Sequence, residues 1–173
     1  RAKAVNFGII YGIGDFGLAK SINSSRREAA EFIEKYLDRY PLVKKYMEDS
    51  VREAKAKGYT ETVMGRRREL PQLRAQNYNV RSFGERAAMN TPIQGTAADI
   101  MKLAMLNVEK KLKENPNLGK MILQVHDELI IEVKEEFSRE CAQMLKNEME
   151  HVAELKVPLL VDTNIGRTWF ELK

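Results

Sequence analysis

Apolar residues in the first part of the chain recur at helical spacing and predict a succession of helices. Residues 1–11 are mostly apolar and fit either a buried helix or a strand. The glycine-rich segment at residues 12–17 then breaks whichever element precedes it. Ser25 and Glu28 match a capping box, and apolar residues follow at helical spacing, so a new helix is expected to begin there.

Two longer helical patterns contain residues that interrupt a helix. Pro41 interrupts the first pattern, which then resumes until Gly58 ends it. The second pattern covers about residues 79–112, and its Pro92 and Gly95 predict a bend or break. The first two-thirds of the chain is therefore expected to be mainly helical.

Strand formers are concentrated in the remaining segments. Residues 60–71 read as a short hairpin that presents basic side chains. Residues 120–125 and 129–133 are rich in strand formers and only three residues apart, so they predict a tight antiparallel hairpin. A last helix is expected at 136–153 and a final strand at 157–161. The pattern predicts an α+β fold: a mostly helical region, then a small antiparallel sheet backed by helices.

Composition narrows the class of protein only slightly. The 173 residues suit one large domain or two small ones, and the net charge of +4 is compatible with a polyanionic partner without establishing one. The single cysteine, Cys141, excludes an internal disulfide framework and agrees with a reducing cytoplasm. No apolar run is long enough to span a bilayer, so we expect a cytoplasmic protein without a membrane partner.

An acidic turn is the first candidate site. His126, Asp127 and Glu128 lie at the tip of the later hairpin, between strongly apolar strands. Adjacent carboxylates repel each other unless a cation neutralises them, and Mg²⁺ takes such oxygen ligands while keeping positions for water and phosphates. A solvated acidic turn is the alternative. A hydrolase site with histidine metal ligands is rejected, because His151 is the only other histidine.

A row of one cation and two aromatic residues is the second candidate. Lys3, Phe7 and Tyr11 recur every four residues and therefore share one face of a helix. At about 6 Å per step, such a row could contact a phosphate, a sugar and a base in order. The alternative is a core stripe of Phe7 and Tyr11 with a solvated lysine at its end.

Polar residues suited to nucleic acid form two further candidates. Arg86, Asn90 and Gln94 also recur every four residues, and amides can donate to the minor-groove acceptors that all correct base pairs share. Asn90 could instead satisfy the backbone near Pro92. In the first hairpin, Arg67 and its two neighbouring arginines suit phosphate contacts, although a solvated basic turn is the simpler alternative.

The glycines at 12, 14 and 17 match the dinucleotide-binding fingerprint. That motif requires a following helix, a second strand and an acid about 20 residues further on. Here a capped, charged helical pair follows, with no strand expected before about residue 59. The sequence therefore disfavours a dinucleotide fold.

Three segments resemble family A DNA polymerases in their order along the chain. RAKAVNFGIIYG at residues 1–12 resembles motif B, NTPIQGTAAD at 90–99 resembles another stretch typical of the family, and QVHDEL at 124–129 resembles motif C. The resemblance covers essentially the whole chain and identifies it as the C-terminal part of a bacterial polymerase of this family. It implies a fingers-like helical region at 1–80 with a short basic hairpin, and a palm-like region at 81–173 with the acidic hairpin.

The resemblance also implies roles for the candidate residues. Lys3 is expected to contact the incoming triphosphate, Phe7 the sugar and Tyr11 the templating position. Phenylalanine at the sugar position implies discrimination against chain terminators that lack a 3′-hydroxyl. The family has an arginine four residues before the lysine, a position that would precede residue 1, so the triphosphate contacts are incomplete in this chain.

The remaining implied roles concern metal and DNA. Asp127 is expected to be the catalytic ligand of two Mg²⁺ ions, and Glu128 a nearby, less essential acidic partner. The residues expected to contact DNA are Arg67, Arg86, Asn90, Gln94 and His126, with His126 at the primer terminus.

The reaction implied is transfer of a nucleotide from a dNTP to a primer 3′-hydroxyl by two-metal chemistry, in DNA replication and repair. The family's first catalytic aspartate lies upstream of motif B, so this chain is expected to be inactive without the N-terminal remainder of the polymerase. The implied partners are primer–template DNA, dNTPs and that remainder, and the location is the cytoplasm, at the nucleoid. A non-catalytic DNA-binding module and a nicotinamide-binding domain are the competing classes.

Overall fold

The computed structural model describes residues 2–172, apart from the side chains of Ala2 and Ala4. Arg1, the first residue of the segment resembling motif B, lies outside the described residues. The chain divides into two compact units, Arg1–Thr96 and Ala97–Lys173. The helices are α1 (Ala2–Ile10), α2 (Asp15–Ile22), α3 (Arg26–Arg39), α4 (Pro41–Lys57), α5 (Tyr78–Asn90), α6 (Thr96–Glu114) and α7 (Ser138–Glu150). The strands are β1 (Tyr59–Glu61), β2 (Arg67–Glu69), β3 (Lys120–Val125) and β4 (Glu128–Glu132).

The described strands form two separate antiparallel pairs, β1 with β2 and β3 with β4. The mostly helical α+β fold predicted from the sequence is confirmed. The sequence predicted a fingers-like region at 1–80 and a palm-like region at 81–173. The two compact units are defined by packing alone and do not test that division, which stays a prediction. None of the described helices combines the length and apolar character that a bilayer crossing requires.

The first unit begins with three helices around an apolar cluster. Val5 and Ile9 of α1 pack with Leu18 of α2 and Ala29 of α3, all four buried. Within the segment 1–11, which was ambiguous in the sequence, Ala2–Ile10 is helical because its apolar residues match a helical face. Helix α3 begins at the predicted capping box: the Ser25 hydroxyl accepts from the Glu28 amide at 3.2 Å.

A second cluster of the same unit joins α4, α5 and the segment after β2. Small side chains at Ala54, Ala87 and Ala88 let these elements approach closely around Leu70 and Leu73. As predicted, Gly58 ends α4: it follows the last helical residue and has the left-handed φ of 86° that favours glycine.

The second unit packs the β3–β4 hairpin with α6 and α7. Its core contains Val108, Leu112, Leu118, Leu129 and Cys141. Cys141 is buried, and burial raises the pKa of its thiol, so the thiol is a poor nucleophile at neutral pH.

The predicted strand at residues 157–161 is wrong. This segment is irregular, and no strand of the described chain pairs with it. The Val161 amide donates instead to the Glu150 carboxylate at 3.0 Å, and Val157 and Leu160 are largely exposed. A run of strand formers becomes a strand only where another strand offers its backbone groups, and here the partner is a side chain.

Candidate functional site

Helix α1 has two faces with opposite environments. Val5 and Ile9 are 9% and 1% exposed and face the core. Phe7 and Tyr11 lie two residues further along, about 200° around the helix axis, and are 45% and 39% exposed. The core-stripe interpretation of the aromatic residues is therefore wrong, because Val5 and Ile9 already form the core stripe.

The exposed face carries an ordered row of side chains. The Phe7 and Tyr11 rings lie 6.0 Å apart between centroids, tilted by 31°. The Lys3 ammonium lies 5.9 Å from the Phe7 ring centroid. A cation and two aromatic faces are thus presented to solvent in sequence along one side of α1.

Neighbouring helices hold α1 in place through contacts that the sequence did not indicate. The Tyr36 hydroxyl of α3 donates to the Asn6 side-chain carbonyl at 2.5 Å. After α1, Gly12 has a φ of 78°, and a Cβ there would lie 2.7 Å from the Met89 methyl group. The left-handed φ favours glycine at this position, and the absence of a Cβ lets the flexible end of Met89 approach it closely.

The glycine run does not have the context of a dinucleotide site. The element before it is helix α1, whereas the fingerprint requires a strand. Helix α2 begins inside the run, with Gly14 as its N-cap. The first glycine adopts a left-handed φ and the second caps α2, so the run lacks the strand–turn–helix geometry of that motif.

The polar row in α5 runs into a wide turn. Helix α5 ends at Asn90, a π turn covers Thr91–Gly95, and α6 follows. A π turn contains more than 3.6 residues, so the four-residue step from Asn90 to Gln94 is close to one full turn. Gln94 is exposed, whereas Arg86 and Asn90 are half-buried.

Two members of this row have partners inside the first unit. The Arg86 guanidinium donates to the Ser82 hydroxyl at 2.8 Å. The Asn90 side-chain amide donates to the Tyr11 carbonyl at 3.4 Å. Asn90 therefore does satisfy a backbone group, as the alternative interpretation held. That group is the carbonyl of Tyr11, directly after α1, and not one near Pro92.

The basic hairpin is closed by a tight turn. Gly65 has a φ of 81°, and the Thr62 hydroxyl accepts from the Arg66 amide at 3.1 Å. The Arg67 guanidinium lies over the Tyr59 ring, 4.5 Å from its centroid, and its Nε is 3.6 Å from a carboxylate oxygen of Glu61. The Arg67 side chain is still 62% exposed, so it is oriented but accessible.

The acidic turn is shorter than expected. Val125 pairs with Glu128, so only His126 and Asp127 form the turn and Glu128 begins β4. All three polar residues are exposed, whereas Leu129 beside them is buried. His126 has a φ of 53°, which lies in the left-handed region. Two-residue hairpin turns usually have glycine at a position with such a φ.

The donor set at this turn suits part of a magnesium site. Among residues 2–172, no group of three or more histidine, cysteine or acidic side chains could enclose a metal ion. Mg²⁺ is usually held by one or two carboxylates together with water and substrate phosphates. Asp127 and Glu128 fit that contribution, provided that further ligands come from elsewhere.

Comparison with known proteins assigns the family. The sequence profile of DNA polymerase family A matches residues 1–171, and the chain belongs to this family. It is 56% identical over 174 residues to DNA polymerase I of Bacillus caldotenax and 52% identical over 173 residues to DNA polymerase I of Lactococcus lactis subsp. cremoris strain MG1363. Each alignment covers 100% of this chain and 20% of the relative, so the chain spans about one-fifth of these relatives.

A solved structure agrees with this assignment. The POL domain of Pol1 from M. smegmatis, in complex with DNA primer-template and dNTP, is 44% identical with a TM-score of 0.92. The match covers 98% of this chain and 30% of that one.

Proposed function

We propose that this chain is the C-terminal part of a DNA-directed DNA polymerase, which transfers a nucleotide from a dNTP to a primer 3′-hydroxyl. The observation that carries the proposal is the solvent-facing row of Lys3, Phe7 and Tyr11. A polymerase must present a cation and flat apolar surfaces to a nucleotide, and the core of α1 does not need these side chains. Membership of family A and the similarity to a polymerase bound to DNA and dNTP support the same conclusion.

Each residue of the row has a distinct task in the proposal. The Lys3 ammonium binds the triphosphate, whose negative charge it complements. The Phe7 ring packs against the sugar, where it has no hydroxyl with which to replace a missing 3′-hydroxyl. Tyr11, directly after α1, packs at the templating position.

The carboxylates of the acidic turn would hold Mg²⁺ beside the reacting phosphates. Mg²⁺ ions, when bound, neutralise the charge of the phosphates and orient the primer hydroxyl. Asp127 contributes its carboxylate from a turn anchored by the buried Leu129, and Glu128 contributes a second, less essential carboxylate. The remaining ligand of the two-ion site comes from the upstream part of the polymerase, so the isolated chain is inactive.

The proposal also assigns primer–template contacts to five polar side chains. Gln94 and Asn90 donate to minor-groove acceptors, and these contacts depend on base-pair shape rather than on sequence. Arg86 lies near the template, Arg67 contacts backbone phosphate, and His126 contacts the primer terminus. The partners are DNA, dNTPs and the N-terminal remainder of the polymerase, in the cytoplasm at the nucleoid, for replication and repair.

The decisive experiment is primer extension with the chain mixed with an N-terminal polymerase fragment. Wild-type chain is expected to restore extension, and Asp127→Ala to abolish it. Asp162→Ala, which removes an exposed aspartate outside the turn, is the matched control and should extend normally. Undiminished extension by Asp127→Ala would support a non-catalytic DNA-binding module instead, and extension by the isolated chain would contradict the predicted incompleteness.

A further inference from the structure

The π turn between α5 and α6 depends on hydroxyl groups from other elements. Pro92 has no N–H, so the Ala88 carbonyl loses its donor four residues ahead. The Thr60 hydroxyl of β1 donates to that carbonyl at 3.4 Å. The next carbonyl, that of Met89, accepts from the Tyr46 hydroxyl of α4 at 2.8 Å.

The far side of the turn is held in a similar way. The Thr96 hydroxyl donates to the Pro92 carbonyl at 2.5 Å and accepts from the Val63 amide at 3.0 Å. Gly95 leaves room for Thr62, whose methyl group would lie 2.7 Å from a Cβ at this position. The wide turn therefore packs closely against the segment that follows β1.

Most residues that make these contacts are buried, so the loss of one hydrogen bond costs more free energy here than at the surface. Thr60, Met89, Thr91 and Thr96 are all buried, whereas Tyr46 is 37% exposed and only its bond to Met89 is partly buried. The Tyr46 hydroxyl keeps its proton across the neutral range, as any tyrosine does, and burial raises its pKa further. An unpaired carbonyl in such a place is costly, so the hydroxyl donors stabilise the wide turn.

We propose that Tyr46 is a positioning residue for DNA recognition: its hydroxyl holds the end of α5 so that the wide turn presents Asn90 and Gln94 to the duplex. This inference rests on the proposed function, because it assigns those amides to minor-groove acceptors. π turns are rare and occur often at functional sites, where they change the direction of side chains. A return to α-helical turns would alter the angle between Asn90 and Gln94 around the helix axis.

The first test needs no catalytic activity. Tyr46→Phe keeps the ring and removes the donor, so the amides of residues 90, 91 and 93–96 in the 173-residue chain should exchange hydrogen about fivefold faster, as expected for one lost hydrogen bond. Tyr40→Phe makes the same change at the half-exposed residue before α4 and should leave these amides unchanged. Exchange at the wild-type rate in Tyr46→Phe would refute the proposal.

The second test separates positioning from stability. With the N-terminal polymerase fragment added, Tyr46→Phe should slow extension of matched primer ends about fivefold while extension of mismatched ends changes little. A purely structural role predicts an equal loss on both primers and would overturn the proposal. Thr60→Val removes the neighbouring donor and should have the same selective effect, which provides a second variant if Tyr46→Phe folds poorly. If the wild-type mixture extends no primer, the proposed function fails, whereas the exchange result still decides the role of Tyr46 in the turn.

Discussion

The side-chain amide of Gln124 donates to the main-chain carbonyl of His126 at 2.6 Å. The accepting carbonyl belongs to the residue whose backbone has the left-handed φ of 53°. A non-glycine residue in that conformation is costly and persists where its surroundings fix it. Gln124 is therefore a support for the turn that presents Asp127.

Replacement of Gln124 by glutamate tests this support. A carboxylate has no proton to donate at neutral pH and repels the His126 carbonyl, so the turn should lose its fixed conformation. We expect NMR shift changes confined to residues 124–129 and, in the reconstituted polymerase, a Mg²⁺ requirement raised about fivefold, as for one hydrogen bond. Gln143→Glu on α7 is the matched control. An unchanged Mg²⁺ requirement in Gln124→Glu would show that the bond is incidental.

The two faces of α1 should respond differently to truncation. Ile9→Ala removes a fully buried side chain and should lower the free energy of unfolding by about 2–5 kcal/mol. Phe7→Ala removes an exposed ring, so stability should change by less than about 0.5 kcal/mol, while the KM for dNTP in the reconstituted polymerase rises. Urea denaturation of both variants, beside the nucleotide titration, checks this. Equal destabilisation would mean that Phe7 belongs to the core.

The start of α2 should be sensitive to acid. The Arg26 guanidinium, with the Phe16 amide, lowers the pKa of Asp15 below its ordinary value. Because that pKa is lower in the folded chain, the ion pair stabilises the fold above the unfolded-state pKa of about 3.9. The contribution is lost as the pH falls through the lower folded value.

Carboxyl ¹³C titration of Asp15 measures this effect directly. Its midpoint should lie below that of an unstructured aspartate, and Arg26→Gln should raise it. Arg27→Gln, in the neighbouring arginine that pairs with Glu31, should leave the midpoint unchanged. A midpoint insensitive to Arg26 would contradict the assigned cause.

Local signals in the sequence predicted much of the fold. The capping box at Ser25, the helix end at Gly58 and the interruption near Pro92 are each governed by groups within a few residues along the chain. For the same reason both hairpins were located, although the turn of the second is one residue shorter than predicted. The row of Lys3, Phe7 and Tyr11 was also recognised, because helical spacing alone places its members on one face.

What the sequence did not indicate depends on partners that are distant along the chain. No local rule states that residues 157–161 lack a strand beside them, or that Tyr46 donates to Met89. The sequence did not decide whether Phe7 faces the core or the solvent, because it does not show that Val5 and Ile9 fill the core. The start of α2 inside a glycine run was missed because glycine is a poor helix former, and the buried Leu18 and Ala19 compensate for it.

The two-residue turn of the second hairpin has a consequence for how this region can vary. Leu129 is buried directly after Glu128, and side chains alternate between faces along β4. One inserted residue that shifted the pairing would move Leu129 out of the core and reverse every side chain that follows. The length of the loop is therefore tied to the integrity of the sheet, and insertions should be excluded here even where substitutions are accepted.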